Sequence, residues 1–175
     1  AKTGERVFGL SIIVSRGKTV LIADTSVNEE PSSVVLADIA IQAAAKAREL
    51  GHEPRVAFLA FSNFGNPPSE KMDRIREAVS MLDSRSPDFE YEGDISVDTA
   101  LDEKVLEFYP FARLSGPANV LIMPDLNSAN IAAKLMNKLA GGTVIGPIMV
   151  GLAKPVQIVN MGSTVSDLVN AAALA

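Results

Sequence analysis

Short apolar runs that predict β-strands open the chain. Residues 8–14 and 19–23 are rich in Ile and Val and are separated by Ser15-Arg16-Gly17-Lys18, which predicts a β-hairpin. Residues 55–61 form a longer apolar run, typical of a strand that a parallel sheet buries on both faces. The pattern therefore predicts a hairpin joined to a buried parallel sheet.

Apolar residues spaced three and four apart predict helices between the strands. Pro31 suits a first turn and Gly51 suits a C-terminal cap, and the helix between them carries only one narrow polar stripe. Helices are predicted over residues 31–50, 69–82, 97–108 and 128–139, and further strands over 89–95, 118–123 and 156–159. This order favours an α/β fold with three α/β/α layers, a mostly parallel sheet and the antiparallel hairpin at one edge.

Composition narrows the function classes. The chain is 47% hydrophobic and 21% charged, as in a packed domain, and its net charge of −5 without a Lys/Arg block argues against nucleic-acid binding. The absence of Cys excludes disulfides, thiolate metal sites and a Cys nucleophile. No apolar run is long enough for a membrane span and no signal peptide is visible, so we expect a cytoplasmic protein. The start AKTGERVF and the uncapped helical end predict that both ends are cut from a longer chain.

Several common motifs are incomplete. Gly17-Lys18-Thr19 has Ile12 where a phosphate-binding P-loop needs glycine, and no Gly-x-Gly-x-x-Gly is present. The single histidine, His52, follows a helix cap in a solvated turn, which favours a structural or neutral role. Scattered acidic residues show no metal-binding spacing, so we predict no metal.

Polar residues follow two predicted strands. Ser62, Asn63 and Gly65 come after residues 55–61, and Asp125 comes after residues 118–123. The carboxyl ends of strands are where ligands bind in α/β sheets, although the first loop can equally be a connection and Asp125 a helix cap.

Three further features lie near the end of the chain. Asn130 and Lys134 share one face of a helix, where Lys134 is expected to be solvated. Gly146-Pro147 breaks an apolar run, which indicates close approach of a backbone or a ligand. Lys154 is a cation that can meet a phosphate. Thr164 and Asp167 have capping-box spacing, which predicts a helix start.

The phrases NVLIMPDL, IGPI and GLAKPV, together with IADTSVNEEP and EPRVAFLAFSNFGN, cover nearly the whole chain. They resemble the phosphate acetyltransferase (phosphotransacetylase) family, and within it the C-terminal domain of bacterial NADP-dependent malic enzymes. The resemblance implies the isocitrate/isopropylmalate dehydrogenase-like version of the fold, with coenzyme A between two lobes, and a homodimer or higher oligomer. Residues 1–154 are then the inserted lobe, and residues 155–175 the final strand and helix of another lobe whose N-terminal part is absent.

The resemblance also identifies a departure from the catalytic pattern. Active members read Ser-Arg-Gly followed by Asp, where this chain has Asn160-Met161-Gly162 and Asp167. In the family the Arg is taken to stabilise developing charge and the Asp to assist at the thiol, and a thioether cannot replace the Arg. No catalytic residue is therefore expected.

The function implied is a non-catalytic regulatory domain that binds acetyl-CoA or a related acyl-CoA, inhibits a malic-enzyme domain of the same parent chain and supports oligomerisation. The residues expected to contact acetyl-CoA are Ser62, Asn63, Gly65, Asp125, Asn130, Gly146, Pro147, Lys154, Asn160, Met161, Gly162 and Asp167. NADP and a divalent metal would bind only in that upstream domain. The alternatives are an active acetyl or butyryl transferase, with Lys154 or Arg113 as substitute cation, and a purely structural oligomerisation lobe.

Overall fold

A computed structural model describes residues 1–139, 143–159 and 161–173. Its strands are β1 (Phe8–Ser15), β2 (Lys18–Ala23), β3 (Arg55–Leu59), β4 (Glu90–Ile95), β5 (Val120–Ile122) and β6 (Thr143–Val150). They form one sheet in the order β4-β3-β5-β2-β1-β6. In the described part of the chain β1 is the one strand that opposes its neighbours, so the predicted α/β fold with a mostly parallel sheet is confirmed.

The predicted hairpin is present, but its position at the sheet edge was wrong. Arg16 and Gly17 both have positive φ, at 51° and 75°, as a tight two-residue turn between β1 and β2 requires. Strand β6 pairs with β1 on the outer side, and β2 pairs with β5 on the inner side. The hairpin therefore lies inside the sheet, because the apolar segment 143–150 closes over it.

Helices cover both faces of the sheet. They are α1 (Ser33–Glu49), α2 (Asp73–Arg85), α3 (Val97–Leu101), α4 (Glu103–Leu106), α5 (Leu126–Leu139) and α6 (Val165–Ala173). Helices α1 and α2 pack on one face with a core that includes Phe8, Leu36 and Phe58. On the other face, α3, α4 and α5 pack over Ile13, Ile22 and Ile95. The result is the expected three layers.

Three predicted elements differ in detail. Helix α1 begins after Pro31, because the side chain of Ser32 caps it by accepting from the Val35 backbone N–H. The helix predicted over 97–108 divides in two, because the Asp102 backbone is extended and its side chain caps a new helix at Lys104. The strand predicted over 156–159 is wrong. Its described residues make a single isolated β-bridge, Gln157 to Ile148 on β6, and no continuous ladder.

No helix within residues 1–139, 143–159 and 161–173 combines the length and the apolar character that crossing a membrane requires.

Candidate functional site

A cleft of about 410 Å³ opens between β1, β6, α5 and the last segment of the chain. Its volume falls in the range typical of small-molecule sites. The described polar residues that line it are Ser11, Thr25, Ser26, Asn130, Lys134, Asn137, Thr143, Ser163, Asp167 and Asn170. Four of the twelve residues expected to contact acetyl-CoA meet here: Asn130, Gly146, Pro147 and Asp167.

A β-bulge shapes the strand side of the cleft. Leu10 pairs with Ile148 and Ile12 pairs with Ile145, so β6 contains one residue more than β1 between these pairs. The extra length lies at Gly146-Pro147, where Gly146 has φ +116° and a Cβ would stand 2.8 Å from the Leu10 carbonyl oxygen. The predicted close backbone approach at this glycine is confirmed.

Helix α5 supplies the next wall. The Asn130 side chain donates to the Thr25 carbonyl at 3.3 Å, which ties the helix to the end of β2. Lys134, predicted to be only a solvated surface residue, is exposed but also lines the cleft. Asp125 does not line the cleft. It caps α5 by accepting from the Ser128 backbone N–H at 2.7 Å, which was its alternative predicted role.

The turn before α6 positions Asp167. The Thr164 backbone N–H and hydroxyl each donate to Asp167 at 2.8 Å, and the Asp167 N–H donates back to Thr164, so the predicted capping box is confirmed. The two hydrogen bonds that the Asp167 carboxylate accepts lower the pKa of Asp167 from its ordinary value. The bond from the Thr164 backbone N–H has the larger effect and the bond from the Thr164 hydroxyl the smaller. Asp167 therefore presents a carboxylate at the cleft at neutral pH.

Met161, which replaces the arginine of the family's catalytic pattern, and Gly162, which matches that pattern, are not among the described lining residues. Met161 is fully exposed at 108% relative accessibility. Gly162 has open space around its Cα. Asn160 lies outside the described residues. Among the described lining residues the charged side chains are Lys134 and Asp167, so the cleft carries no net formal charge.

Asp24, the carboxylate that holds the loop beside the cleft, was not identified from the sequence. Asp24 is 4% exposed and accepts hydrogen bonds from the backbone N–H groups of Gly9, Ser26, Val27 and Asn28, at 2.6 to 3.1 Å, and from the Asn28 side chain at 2.6 Å. It fixes the loop that follows β2, which includes the cleft residues Thr25 and Ser26. An Asp at a strand end followed by Ser and Asn was the available signal, because such residues favour side chain–backbone turns.

The loop after β3 lies elsewhere and is fully engaged in structure. Ser62 is completely buried and donates a short hydrogen bond to the buried carboxylate of Asp94, which also accepts from the Gly65 N–H at 3.1 Å. The Asn63 side chain accepts from the Ser96 N–H at 2.8 Å at the start of α3. These contacts match the alternative role of this loop as a connection, and none of its residues lines the cleft.

The two cations considered as substitutes for the missing arginine are also elsewhere. Lys154 lines a second cavity of about 290 Å³, between β6 and α1 on the other face of the sheet. Arg113 bonds Asp83 at 2.6 Å and Glu92 at 3.3 Å and lies over the Tyr91 ring at 4.7 Å. Burial lowers the pKa of Arg113, but the hydrogen bonds to both carboxylates outweigh it and leave the pKa raised. Lys134 is therefore the cation at the cleft in the described part of the chain.

The described residues do not form a metal site. No three His, Cys, Asp or Glu side chains among them come together in a way that suits a metal ion. The donor set of this part of the chain therefore does not fit the divalent metal of a malic enzyme.

Comparison with known proteins agrees with this architecture. The family model described as "Phosphate acetyl/butaryl transferase" matches residues 1–175. The chain belongs to this family. The solved EutD phosphotransacetylase from Staphylococcus aureus superposes with a TM-score of 0.87 at 29% identity, covering 99% of this chain and 56% of that one. The dehydrogenase-like description of the fold stays a prediction.

Curated relatives in this family carry two kinds of name. The NADP-dependent malic enzyme of Rhizobium meliloti (strain 1021) is 56% identical over 174 residues, which are 99% of this chain and 23% of that protein. The phosphate acetyltransferase of Clostridium acetobutylicum is 40% identical over 157 residues, which are 89% of this chain and 47% of that enzyme. The chain thus spans about a quarter of the malic enzyme and about half of the transferase.

Proposed function

We propose that this chain is the phosphotransacetylase-like domain of an NADP-dependent malic enzyme and that it binds an acyl-CoA, acetyl-CoA first, as a regulatory ligand. Such a parent enzyme oxidatively decarboxylates malate to pyruvate. NADP and its divalent metal would bind in another domain of that parent. The 56% identity to a malic enzyme over nearly the whole chain supports the parent assignment.

The observation that carries the ligand proposal is the cleft beside Asp167. Hydroxyl and amide side chains from β1, α5 and α6 surround it, together with the apolar residues Ala133, Ile145 and Pro147. A pantetheine arm has two amides and an acyl thioester on an otherwise apolar chain, so it needs this mixture of polar and apolar contacts. The phosphates of the ligand need cations that the cleft lacks, apart from Lys134, so they would lie at its mouth or against a second lobe.

Charge distribution favours binding over catalysis. Charge that develops in acyl transfer to phosphate requires a preorganised cation or donor, and loss of one such donor slows a reaction by about a hundred- to a thousandfold. The turn that would carry it presents an exposed thioether, Met161, and Arg113 is committed to Asp83 and Glu92. Recognition of ligand shape does not depend on that charge.

The last segment of the chain has features suited to contact with a second lobe or another subunit. None of the described α6 residues is buried. Asp167, Asn170 and Ala171 face the cleft, whereas Val165 and Val169 are 77% and 61% exposed. A helix with its polar face toward its own domain and its apolar face toward solvent is suited to packing against another lobe or subunit. We propose that residues 155–175 make this contact and that the protein is a homodimer or higher oligomer.

The alternative function is an active phosphate acetyl or butyryl transferase. Lys134 favours it, since it brings one positive charge to the cleft.

Titration calorimetry with acetyl-CoA, beside a coupled acetyl phosphate assay on the same preparation, distinguishes these functions. We expect saturable binding and no turnover above background. Turnover would support the transferase, and absence of binding at millimolar acetyl-CoA would leave a structural lobe.

A further inference from the structure

Two buried hydroxyl groups lie at the inner end of the cleft. Ser11 on β1 and Thr25 after β2 are each 3% exposed, and both line the cleft. Their oxygen atoms are 3.0 Å apart, so one hydroxyl donates to the other. They are fourteen residues apart in sequence, and the hairpin together with the Asp24 loop brings them together.

The hydrogen bonds of this pair are incomplete. Two hydroxyls carry two hydrogens, and their mutual bond uses one of them. Neither hydroxyl has another partner among the described residues, since the Thr25 backbone groups bond Gly9 and Asn130 instead. A donor without an acceptor is unfavourable, so the second hydrogen is available to an acceptor in the cleft, either water or a polar atom of a ligand.

The strand opposite does not supply that acceptor. The bulge at Gly146-Pro147 interrupts the β1–β6 ladder at Ser11, which has no paired residue on β6. Bulges of this kind redirect side chains and occur beside functional sites. The hydroxyl pair thus faces a cleft whose lining includes Ala133 and Pro147, which have no side-chain acceptor, and Asn130, whose amide donates to the Thr25 carbonyl.

We propose that the Ser11–Thr25 hydroxyl pair donates a hydrogen bond to the acyl carbonyl oxygen of the ligand and so distinguishes an acyl-CoA from free CoA. This inference rests on the proposed function, because it assigns the acyl end of the same ligand. A carbonyl fits better than a phosphate, since the formal charges of Lys134 and Asp167 balance within the cleft. The apolar residues that line the same cleft, among them Ala133, Ile145 and Pro147, suit a short acyl chain.

Calorimetry with acetyl-CoA, free CoA and inorganic phosphate tests the proposal on Ser11→Ala, Thr25→Val and Thr25→Ser. The wild type should bind acetyl-CoA more tightly than CoA. Ser11→Ala and Thr25→Val should each weaken acetyl-CoA binding by about two- to thirteenfold, the effect of one hydrogen bond, and leave CoA binding unchanged. Thr25→Ser, which keeps the hydroxyl, should restore the preference. Thr19→Val is the matched control. Thr19 is on β2, the strand that leads to Thr25, but it does not line the cleft.

The outcomes separate the two proposals. Absence of acetyl-CoA and CoA binding by the wild type overturns the proposed function. Binding of both ligands with equal affinity, or variants that weaken both equally, overturns the hydroxyl assignment and leaves the proposed function intact. Variants that lose binding of inorganic phosphate but keep binding of acetyl-CoA also overturn the hydroxyl assignment and indicate a phosphate subsite instead. Circular dichroism confirms folding of each variant, and Ser11→Ala alone decides the question if Thr25→Val does not fold.

Discussion

Replacing Asp24 by asparagine removes acceptors from a buried carboxylate without changing its size. One carboxylate oxygen accepts from the N–H groups of Gly9, Ser26 and Val27, and the other accepts twice from Asn28. An asparagine has one acceptor oxygen, so its NH₂ group must face at least two donors. The native contacts on that side are then lost and replaced by donor–donor repulsion.

The expected loss of folding stability in Asp24→Asn follows from the number of donors that lose their acceptor. Each buried donor left without an acceptor costs about 1–3 kcal/mol, and water reaches some of these groups, so we expect a loss of about 2–4 kcal/mol. With an urea slope of about 2 kcal/mol per molar, this corresponds to a midpoint about 1–2 M lower. Such a loss is a large part of the stability of an ordinary domain.

Urea unfolding followed by far-ultraviolet circular dichroism measures this effect. Glu30→Gln is the matched control, because it makes the same chemical change at an exposed carboxylate without hydrogen bonds or ion pairs among the described residues. We expect the control to change stability by less than about 0.5 kcal/mol. A midpoint for Asp24→Asn equal to that of Glu30→Gln would refute the role assigned to Asp24.

Three further changes test other parts of the structure. Gly146→Ala should lose about 2–4 kcal/mol from its positive φ and its contact with neighbouring backbone, whereas Gly162→Ala should be nearly neutral in the same unfolding assay; equal effects would contradict the bulge. Burial, and then a hydrogen bond to a carboxylate, raises the pKa of Tyr91 to about 12, so its contribution to stability is complete below about pH 10 and is lost as the pH rises toward 12. In urea unfolding measured between about pH 10 and 12, Tyr91→Phe should therefore lose less stability with rising pH than the wild type does. An identical pH profile for the two proteins would contradict the raised pKa. Thr164→Val removes one donor to Asp167, so carboxyl-carbon NMR should show the Asp167 pKa rising toward its ordinary value, and no change would contradict the cap.

Local features were predictable where short-range chemistry decides them. The Thr164–Asp167 cap depends on residues three apart, and the role of Gly146 follows from a glycine inside an apolar strand. The alternation of strands and helices fixed the fold class for the same reason. Each of these signals is contained within one short window of sequence.

Features that depend on pairing between distant segments were missed. No local pattern places β6 outside the hairpin, since its partner β1 lies more than a hundred residues earlier. The Ser11–Thr25 pair likewise forms only after the hairpin closes. Ser62 has the residue type and strand-end position of a ligand group, but a distant acidic residue, Asp94, takes up its hydroxyl.

Isothermal titration calorimetry with acetyl-CoA on the complete two-lobed domain that contains these 175 residues tests the central claim most directly. We predict saturable binding with a dissociation constant below the millimolar range, weakened in the Ser11→Ala variant and unchanged in Thr19→Val. Absence of binding up to millimolar acetyl-CoA, by a protein that circular dichroism shows to be folded, would contradict it.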